Sequence, residues 1–286
     1  MKKYLSILVL LLAIPCLSFA QSEDEAEVFQ GVDGIVKKEH IANKKFIPYV
    51  HVREADVLWS KTIWRVIDLR EKINLPLYYP TKAVDGRKSL INVIIDAIQA
   101  GELTPYSTST EDEFTQRIEY DQVAKSLGVS TDTFQTVNPE TGLVETTIMT
   151  GEMNSDLVKQ YLIKEVWYFD KKYTRMDVRI IGICPILEQL SEDGSRVVKK
   201  PVCWVYFPEL RPFLAQNEVF NTKNDSQRES FDDVFAKRRF GSYIYREANV
   251  YNNRNIIDYT VSMESNLEAE RIKNEIFEKE HDMWEF

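Results

Sequence analysis

Two stretches of the sequence share residue types that could do chemistry. Residues 56–71 read DVLWSKTIWRVIDLRE, and residues 232–247 read DDVFAKRRFGSYIYRE. Aligning them matches an acid (Asp56 with Asp232) and a lysine (Lys61 with Lys237), and both stretches end in Arg-Glu. The matched aromatic and arginine positions are Trp59 with Phe235, Trp64 with Phe240, and Arg70 with Arg246. Such a pattern indicates either a catalytic set used twice or a structural element used twice.

The catalytic interpretation lacks a nucleophile or a base. The histidines, His40, His51 and His281, have no paired spacing that would hold a metal ion. The sequence signatures of serine hydrolases, zinc proteases and nucleotide-binding loops do not occur in the chain. We therefore predict no catalytic residues, cofactor or metal. The alternative is a periplasmic ligand-binding protein or hydrolase with an unrecognised carboxylate site, because a pair of acids among so many stays open.

The matched aromatic and arginine residues are better suited to binding another polypeptide. Trp and Arg dominate the energetics of protein–protein interfaces, and the guanidinium of Arg offers five donors in a planar fork. Burial in the core and an internal salt bridge are the alternatives for these residues. The candidate interface residues are Trp59, Trp64, Arg70, Phe235, Phe240 and Arg246.

The two cysteines that follow the N-terminal region flank a predicted hairpin. If Asp193 and Gly194 form a two-residue turn, Cys184 and Cys203 lie directly opposite each other. A disulfide can persist in an oxidising compartment. The alternative is two buried free thiols, because Pro185 and Pro201 could shift the register and spoil the geometry.

The elements that carry these residues are predicted from periodicity. Plotting residues 54–73 at helical spacing collects apolar residues on one side, so we predict an amphipathic helix, most secure over 55–64. On this helix Arg70 falls within the apolar face. The second stretch is predicted as a short helix, a bend near Gly241 and a strand. The apolar side of the first helix consists of Trp59, Ile63, Val66, Ile67 and Ile73.

The rest of the chain predicts an α+β fold: a helical N-terminal part, a central antiparallel β-meander and a C-terminal amphipathic helix. Further helices are predicted over 88–100, ended by Gly101, and within 112–128. One loose hairpin is predicted around Asn138-Pro139 within 130–154. Segments 161–170, 175–187 and 197–207 are rich in β-branched and aromatic residues and predict the meander. The last helix covers 263–284. The domain is predicted over 51–286, with its most natural internal boundary within 107–154.

The N-terminus is typical of a secretory signal. Lys2 and Lys3 precede a short apolar run, and Ser18-Phe19-Ala20 forms a small-x-small cleavage site. Pro15 argues against Cys16 as a lipidation site. We predict a signal peptide over 1–20 cleaved after Ala20, and an extended N-terminal arm over 21–50, ordered against a partner.

The net charge excludes one class of partner. The formal charge is −9 and becomes −11 once Lys2 and Lys3 leave with the signal peptide. Binding to a phosphate backbone depends on Lys and Arg, so nucleic acid is not expected as a partner.

Several long segments resemble the GldN/PorN family of gliding-motility and type IX secretion proteins. They are VLWSKTIWRVIDLREKINLPLYYP, LIKEVWYFDKKYTRMDVRIIGICPI through VCWVYFPELRP, SYIYREANVYNNRNIIDY and ERIKNEIFEKEHDMWEF. Together they cover most of the chain after the signal peptide.

The resemblance implies a periplasmic, non-enzymatic structural or adaptor subunit at the inner face of the outer membrane. Members form a ring with a lipoprotein of the GldK/PorK type, and they are linked to the periplasmic part of an inner-membrane motor of the GldM/PorM type. The outer membrane would be contacted only through the lipoprotein. The resemblance brings no catalytic residue or cofactor with it.

Overall fold

The computed structural model describes residues 40–109, 112–129, 131–137, 144–150, 153–191, 194–222, 224 and 226–283, with backbone alone in 131–137 and 144–150. The predicted signal peptide, the predicted arm up to residue 39, and Asn138-Pro139 lie outside the described residues. From Ile41 onward the contacts join the chain into one unit. The predicted domain limits at residue 51 and within 107–154 stay predictions.

Helices and strands occur in the described residues in comparable amounts, which confirms the α+β class. The helices are α1 Leu75–Tyr78, α2 Leu90–Gln99, α3 Tyr120–Ser126, α4 Phe207–Gln216, α5 Phe231–Ala236 and α6 Met263–Asp282. The strands are β1 Val57–Asp68, β2 Pro105–Tyr106, β3 Thr131–Val137, β4 Val144–Thr150, β5 Val158–Asp170, β6 Arg175–Leu190, β7 Val197–Pro201, β8 Trp204–Tyr206, β9 Glu218–Val219, β10 Glu229–Ser230 and β11 Tyr243–Glu247.

A seven-stranded antiparallel sheet forms the centre of the fold. Its order is β11-β1-β5-β6-β8-β2, and β7 pairs with β6 beside this path. The predicted meander is confirmed as β5, β6 and the β7–β8 segment. Strands β3 and β4 form a separate hairpin, as do β9 and β10.

The predicted helix over 55–64 is wrong, because this stretch forms strand β1. Residues from Ile63 to Ile67 are all buried, so the second half of the strand lacks the in-out alternation of a half-exposed strand. The apolar positions coincide with a helical period by chance. The β-branched and aromatic composition, including Ile63 and Trp64, was the signal that favoured a strand.

The second stretch folds differently from the first, so the two are not a structural repeat. It forms α5, a bend at Phe240 just before Gly241, and then β11, as predicted. Helix α5 begins with a capping box, in which Ser230 and Asp233 exchange hydrogen bonds. The two stretches instead pair with each other, since β1 and β11 are neighbours and Trp64 lies opposite Arg246.

Helices cover one face of the sheet. Helices α2, α4 and α5 contribute to the main hydrophobic core with Ile67 of β1 and Ile163 of β5. Helix α6 packs through Ile272 and Ile276 onto Ile63. Adjacent residues of a strand point to opposite faces, so Trp64 lies on the other face. There it packs with buried Cys184 and Trp204.

Residues 41–50 pack against their own domain. Lys44 Nζ lies 3.1 Å from Ser230 Oγ and pairs with Asp233, at the start of α5. The Arg211 guanidinium lies 5.2 Å from the Phe46 ring centroid and 4.5 Å from that of Tyr49. This part of the predicted arm is therefore ordered by contacts within the chain.

The hairpin register explains the positions of the cysteines. Pairs such as Ile186 with Pro201 have the predicted register, but beyond Val202 it shifts by one residue, and Ile183 lies opposite Val205. A one-residue shift moves side chains to the other face. Cys184 and Cys203 accordingly pack in different clusters and are free thiols. The disulfide is not formed in the structure, and its presence in oxidised protein stays a prediction.

Candidate functional site

The structure brings four of the six candidate interface residues together as two pairs, Trp64 with Arg246 and Phe235 with Phe240, whose ring centroids lie 5.6 Å apart. Trp64 and Arg246 contact each other, with the Arg246 guanidinium 3.9 Å from the Trp64 ring centroid. Phe235 and Phe240 are buried in the main core. Trp59 packs beside the cluster under α6. Arg70 follows β1, is exposed, and pairs with Glu188, which is the internal salt bridge considered as its alternative.

Glu113 joins Trp64 and Arg246 into a polar network. Trp64 Nε1 donates to Glu113 Oε1 at 2.9 Å, and Arg246 Nη2 donates to the same oxygen at 2.6 Å. Lys164 Nζ donates to Glu113 Oε2 at 2.8 Å. The Glu113 side chain is only 8% exposed. One nearly buried carboxylate therefore receives three donors, two of them cationic.

Three adjacent strands and one loop position these groups. Trp64 on β1 lies directly opposite Arg246 on β11 and Lys164 on β5. Glu113 comes from the loop before α3 and is placed by its neighbour Phe114. The Phe114 ring packs directly over Gly182 of β6, where a Cβ would clash with it. Edge contacts with Tyr106, Trp204 and Tyr206 hold the ring there.

Sequence reasoning missed Glu113 and Lys164. Glu113 stands in an acidic, threonine-rich loop, TSTEDEF, where nothing distinguishes it from the other acids. Lys164 could have been noticed as a charged residue inside the otherwise largely apolar strand sequence YLIKEVWYF. A charge inside such a strand must find a partner or reach solvent.

The electrostatics keep Glu113 ionised. Burial raises the pKa of this carboxyl, but the hydrogen bond and charge of Lys164, with the charge of Arg246, outweigh burial and hold the pKa below its usual value. Burial also raises the pKa of the neighbouring Tyr245 to about 12. Glu113 is thus an acceptor at neutral pH. A general acid would need the opposite shift.

A cavity of about 610 Å³ opens beside this network. We call it the polar cleft. Its outer wall is the loop after β11, where Asn252 and Asn253 adopt left-handed φ angles of 56° and 53°. Arg254 follows, with its guanidinium 4.5 Å from the ring centroids of both Tyr251 and Tyr259. The other lining residues include Thr62, Trp64, Asp112, Glu113, Lys164, Arg246 and Asp258.

The polar cleft is suited to binding polar groups. Asn side chains both donate and accept hydrogen bonds, and the Arg and Lys side chains are donors only. The acid at its centre is already neutralised by two cations. Within the described parts of the chain, no group of three or more His, Cys, Asp and Glu side chains could hold a metal ion.

Comparison with known families matches residues 52–285 to the family described as "Gliding motility associated protein GldN". The chain belongs to the GldN family. The match includes all of the sheet and the polar cleft. No curated protein matches the chain. None of the helices in the described residues has the length and apolar character needed to cross a membrane.

Proposed function

We propose that the protein is a non-enzymatic structural or adaptor subunit of the type IX secretion and gliding-motility machinery. In this proposal it is a periplasmic protein at the inner face of the outer membrane. It forms a ring with a lipoprotein of the GldK/PorK type and contacts the periplasmic part of a GldM/PorM-type motor. The observation that carries the proposal is the GldN family match over residues 52–285.

An exposed apolar surface supports an assembly role. Large apolar patches on a protein surface are typical of protein–protein contacts. Within residues 250–267, which run from the loop after β11 into the start of α6, six large apolar side chains are at least 62% exposed. The stacking of Arg254 on Tyr251 and Tyr259 brings two parts of this segment together. The exposed residues of this 250–267 surface are Val250, Tyr251, Ile257, Val261, Met263 and Leu267.

Under this proposal, some candidate interface residues contact a partner directly and the others support the fold behind them. Arg70, whose side chain is 59% exposed, and Arg246, which lines the polar cleft, are the members that can reach a partner directly. The buried Phe235 and Phe240 would act through the core that supports α5. Trp64 would act by holding Arg246 in place through the stacked contact.

Co-purification tests the proposal. Residues 21–286 are expressed alone and together with the GldK/PorK-type lipoprotein of the same organism, and particle mass is measured by mass photometry. We expect particles much larger than a one-to-one complex only when the lipoprotein is present. A chain that stays monomeric and does not bind the lipoprotein would contradict the assembly role. Turnover of a small molecule by the purified chain would support the hydrolase alternative.

A further inference from the structure

Strands β3 and β4 form a hairpin that, among the described residues, pairs with no other strand. Their antiparallel pairing runs from Thr131 opposite Thr150 to Val137 opposite Val144. A hairpin of two strands alone is at best marginally stable in water. The outer edge of each strand also keeps backbone groups to which a further strand can bind. The hairpin is therefore suited to pairing with a strand of another polypeptide.

Strand β7 is an open edge of the central sheet. It pairs with β6 and, in the part of the chain that the structure describes, with no second strand. Val202 N, just after β7, donates to Pro185 O of β6 at 2.9 Å. Backbone groups alternate in direction along a strand, so those of Val197 and Lys199 point away from β6. Pro201 has no backbone N–H and ends the open edge.

The hairpin and the β7 edge carry opposite charge. Residues 196–201 contain three cations and no acid, and Arg196, Lys199 and Lys200 are all exposed. Strands β3 and β4 contain Asp132 and Glu145 and neither Lys nor Arg. Opposite charges across paired strands stabilise the pairing, and like charges destabilise it. Two β7 edges or two hairpins therefore repel each other, whereas a hairpin and a β7 edge attract.

We propose that the β3–β4 hairpin of one copy of this chain adds to the β7 edge of a second copy. The hairpin backbone pairs with Val197 and Lys199, and its acids lie near the cations of β7. Within one chain the hairpin and β7 belong to separate sheets. Each copy offers both surfaces, so the contact is heterologous, and such contacts form a ring if the rotation closes. The inference rests on the ring of the proposed function and names the contact between its copies.

The proposed contact is separate from the 250–267 surface and from the end of β6. Neighbouring strands lie about 5 Å apart, so a strand added to β7 lies roughly 10 Å from β6, about one Debye length. The exposed Leu190 of β6 is therefore outside the contact.

Charge reversal on each side tests the contact. The edge variant carries Arg196→Glu and Lys200→Glu, and the hairpin variant carries Asp132→Lys and Glu145→Lys. Each variant of residues 21–286 is mixed with the GldK/PorK-type lipoprotein, and large particles are counted by mass photometry. We expect each variant alone to form about tenfold fewer large particles than the wild type, because like charges then face each other. An equal mixture of the two variants should restore the wild-type number, because every hairpin can then meet an edge of opposite charge.

The matched control carries Lys171→Glu and Lys172→Glu. These exposed residues lie on the β5–β6 turn, at the other end of β6 from the residues that pair with β7. The control makes the same change of charge and should assemble like the wild type. Thermal unfolding checks that each variant is folded. If the hairpin variant does not fold, Asp132→Asn with Glu145→Gln replaces it and should restore part of the particles in the mixture with the edge variant.

Three results would overturn the inference while the wild type still assembles. One is normal assembly of both variants. Another is a loss in the control as large as that in the edge variant. The third is a mixture that assembles no better than either variant alone, which would assign the lost contact to the lipoprotein or to pairing within one chain. A wild type that forms no large particles with the lipoprotein would contradict the proposed ring itself, and this inference with it.

Discussion

Glu113 holds the polar cleft together at the scale of single residues. Its carboxylate is the common acceptor for Trp64, Lys164 and Arg246. Because Lys164 and Arg246 both pair with this one carboxylate, neutralising it leaves two positive charges without a counter-charge. The side chains of Lys164 and Arg246 are 22% and 18% exposed, so solvent screens them only in part.

We predict that Glu113→Gln destabilises the protein. The substitution keeps the shape and an acceptor for Trp64, but it removes the charge that both cations need. A loss of about 1–3 kcal/mol in the free energy of unfolding is expected, measured by urea denaturation. The control is Asp96→Asn, which neutralises an ion pair with Lys88 that is about half exposed and should cost less than about 1 kcal/mol. Equal effects of the two variants would contradict the role of Glu113.

The contribution of Glu113 to the stability of the folded state should decrease as the pH falls. Its pKa in the folded state is below its ordinary value of 4.5, so the folded state favours the ionised form. The stabilisation is therefore complete above the ordinary value and is lost as pH falls through the folded pKa. We predict that the stability difference between the wild type and Glu113→Gln is constant from pH 7 to 6 and shrinks below about pH 4. A difference that grows on acidification would contradict this.

At the scale of elements, the sequence predicts best where local and tertiary forces agree. Helix α2 begins at a Ser89 cap and ends before Gly101, whose φ of 74° suits a helix end. Strands β5 and β6 follow their β-branched composition. Strand β1 was mistaken for a helix because its second half, from Ile63 to Ile67, is buried on both faces and shows no alternation.

Helix α4 shows a different limit. Its sequence FPELRPFLAQ carries Pro208 at the start, where proline is tolerated, and Pro212 inside, where it usually breaks a helix. The local sequence, with Pro212 inside it, therefore disfavours a helix here. The helix forms because Phe207, Leu210 and Leu214 pack into the main core. Tertiary contacts of this kind are invisible to periodicity alone.

The register shift in the β6–β8 segment leads to a prediction for the two thiols. Burial raises the pKa of Cys203 to about 12 and that of Cys184 well above its usual value. Since the thiolate is the reactive form, we predict that, in reduced protein, iodoacetamide modifies neither residue in the native state and both in urea. Mass spectrometry of modified peptides measures this. A mass that changes with reductant would instead establish the disulfide.

At the scale of the molecule, the 250–267 surface should matter for assembly and not for folding. We predict that Ile257→Asp reduces the formation of large particles with the GldK/PorK-type lipoprotein by about tenfold, because a charge replaces an apolar residue of the proposed contact surface. Ile257 is 74% exposed, so stability should change by less than about 0.5 kcal/mol. Mass photometry and thermal unfolding measure the two effects.

The matched control is Leu190→Asp, at an exposed apolar residue at the end of β6. It introduces the same charge away from the 250–267 surface and should assemble normally. If Leu190→Asp prevents assembly as strongly as Ile257→Asp does, added charge and not a specific contact is the cause.

The family and the α+β class could be inferred from the sequence, but the polar cleft could not. Its four central residues come from β1, the loop before α3, β5 and β11, which are far apart in the chain. Their meeting depends on strand order and register. Trp64, Arg246 and Lys164 lie side by side because the strand register places Trp64 directly opposite each of the other two.

The contacts of residues 41–50 decide where a shortened version of the protein can begin. A fragment that starts at residue 51, the predicted domain limit, would lose Lys44 from the capping box of α5 and the rings of Phe46 and Tyr49 from Arg211. Arg211 is itself buried and bonded to Asp232 of α5 at 2.8 Å. Truncation at residue 51 would thus expose the buried Arg211 guanidinium and weaken the N-terminal cap of α5, almost two hundred residues away in sequence. A fragment that begins at or before Ile41 retains both sets of contacts.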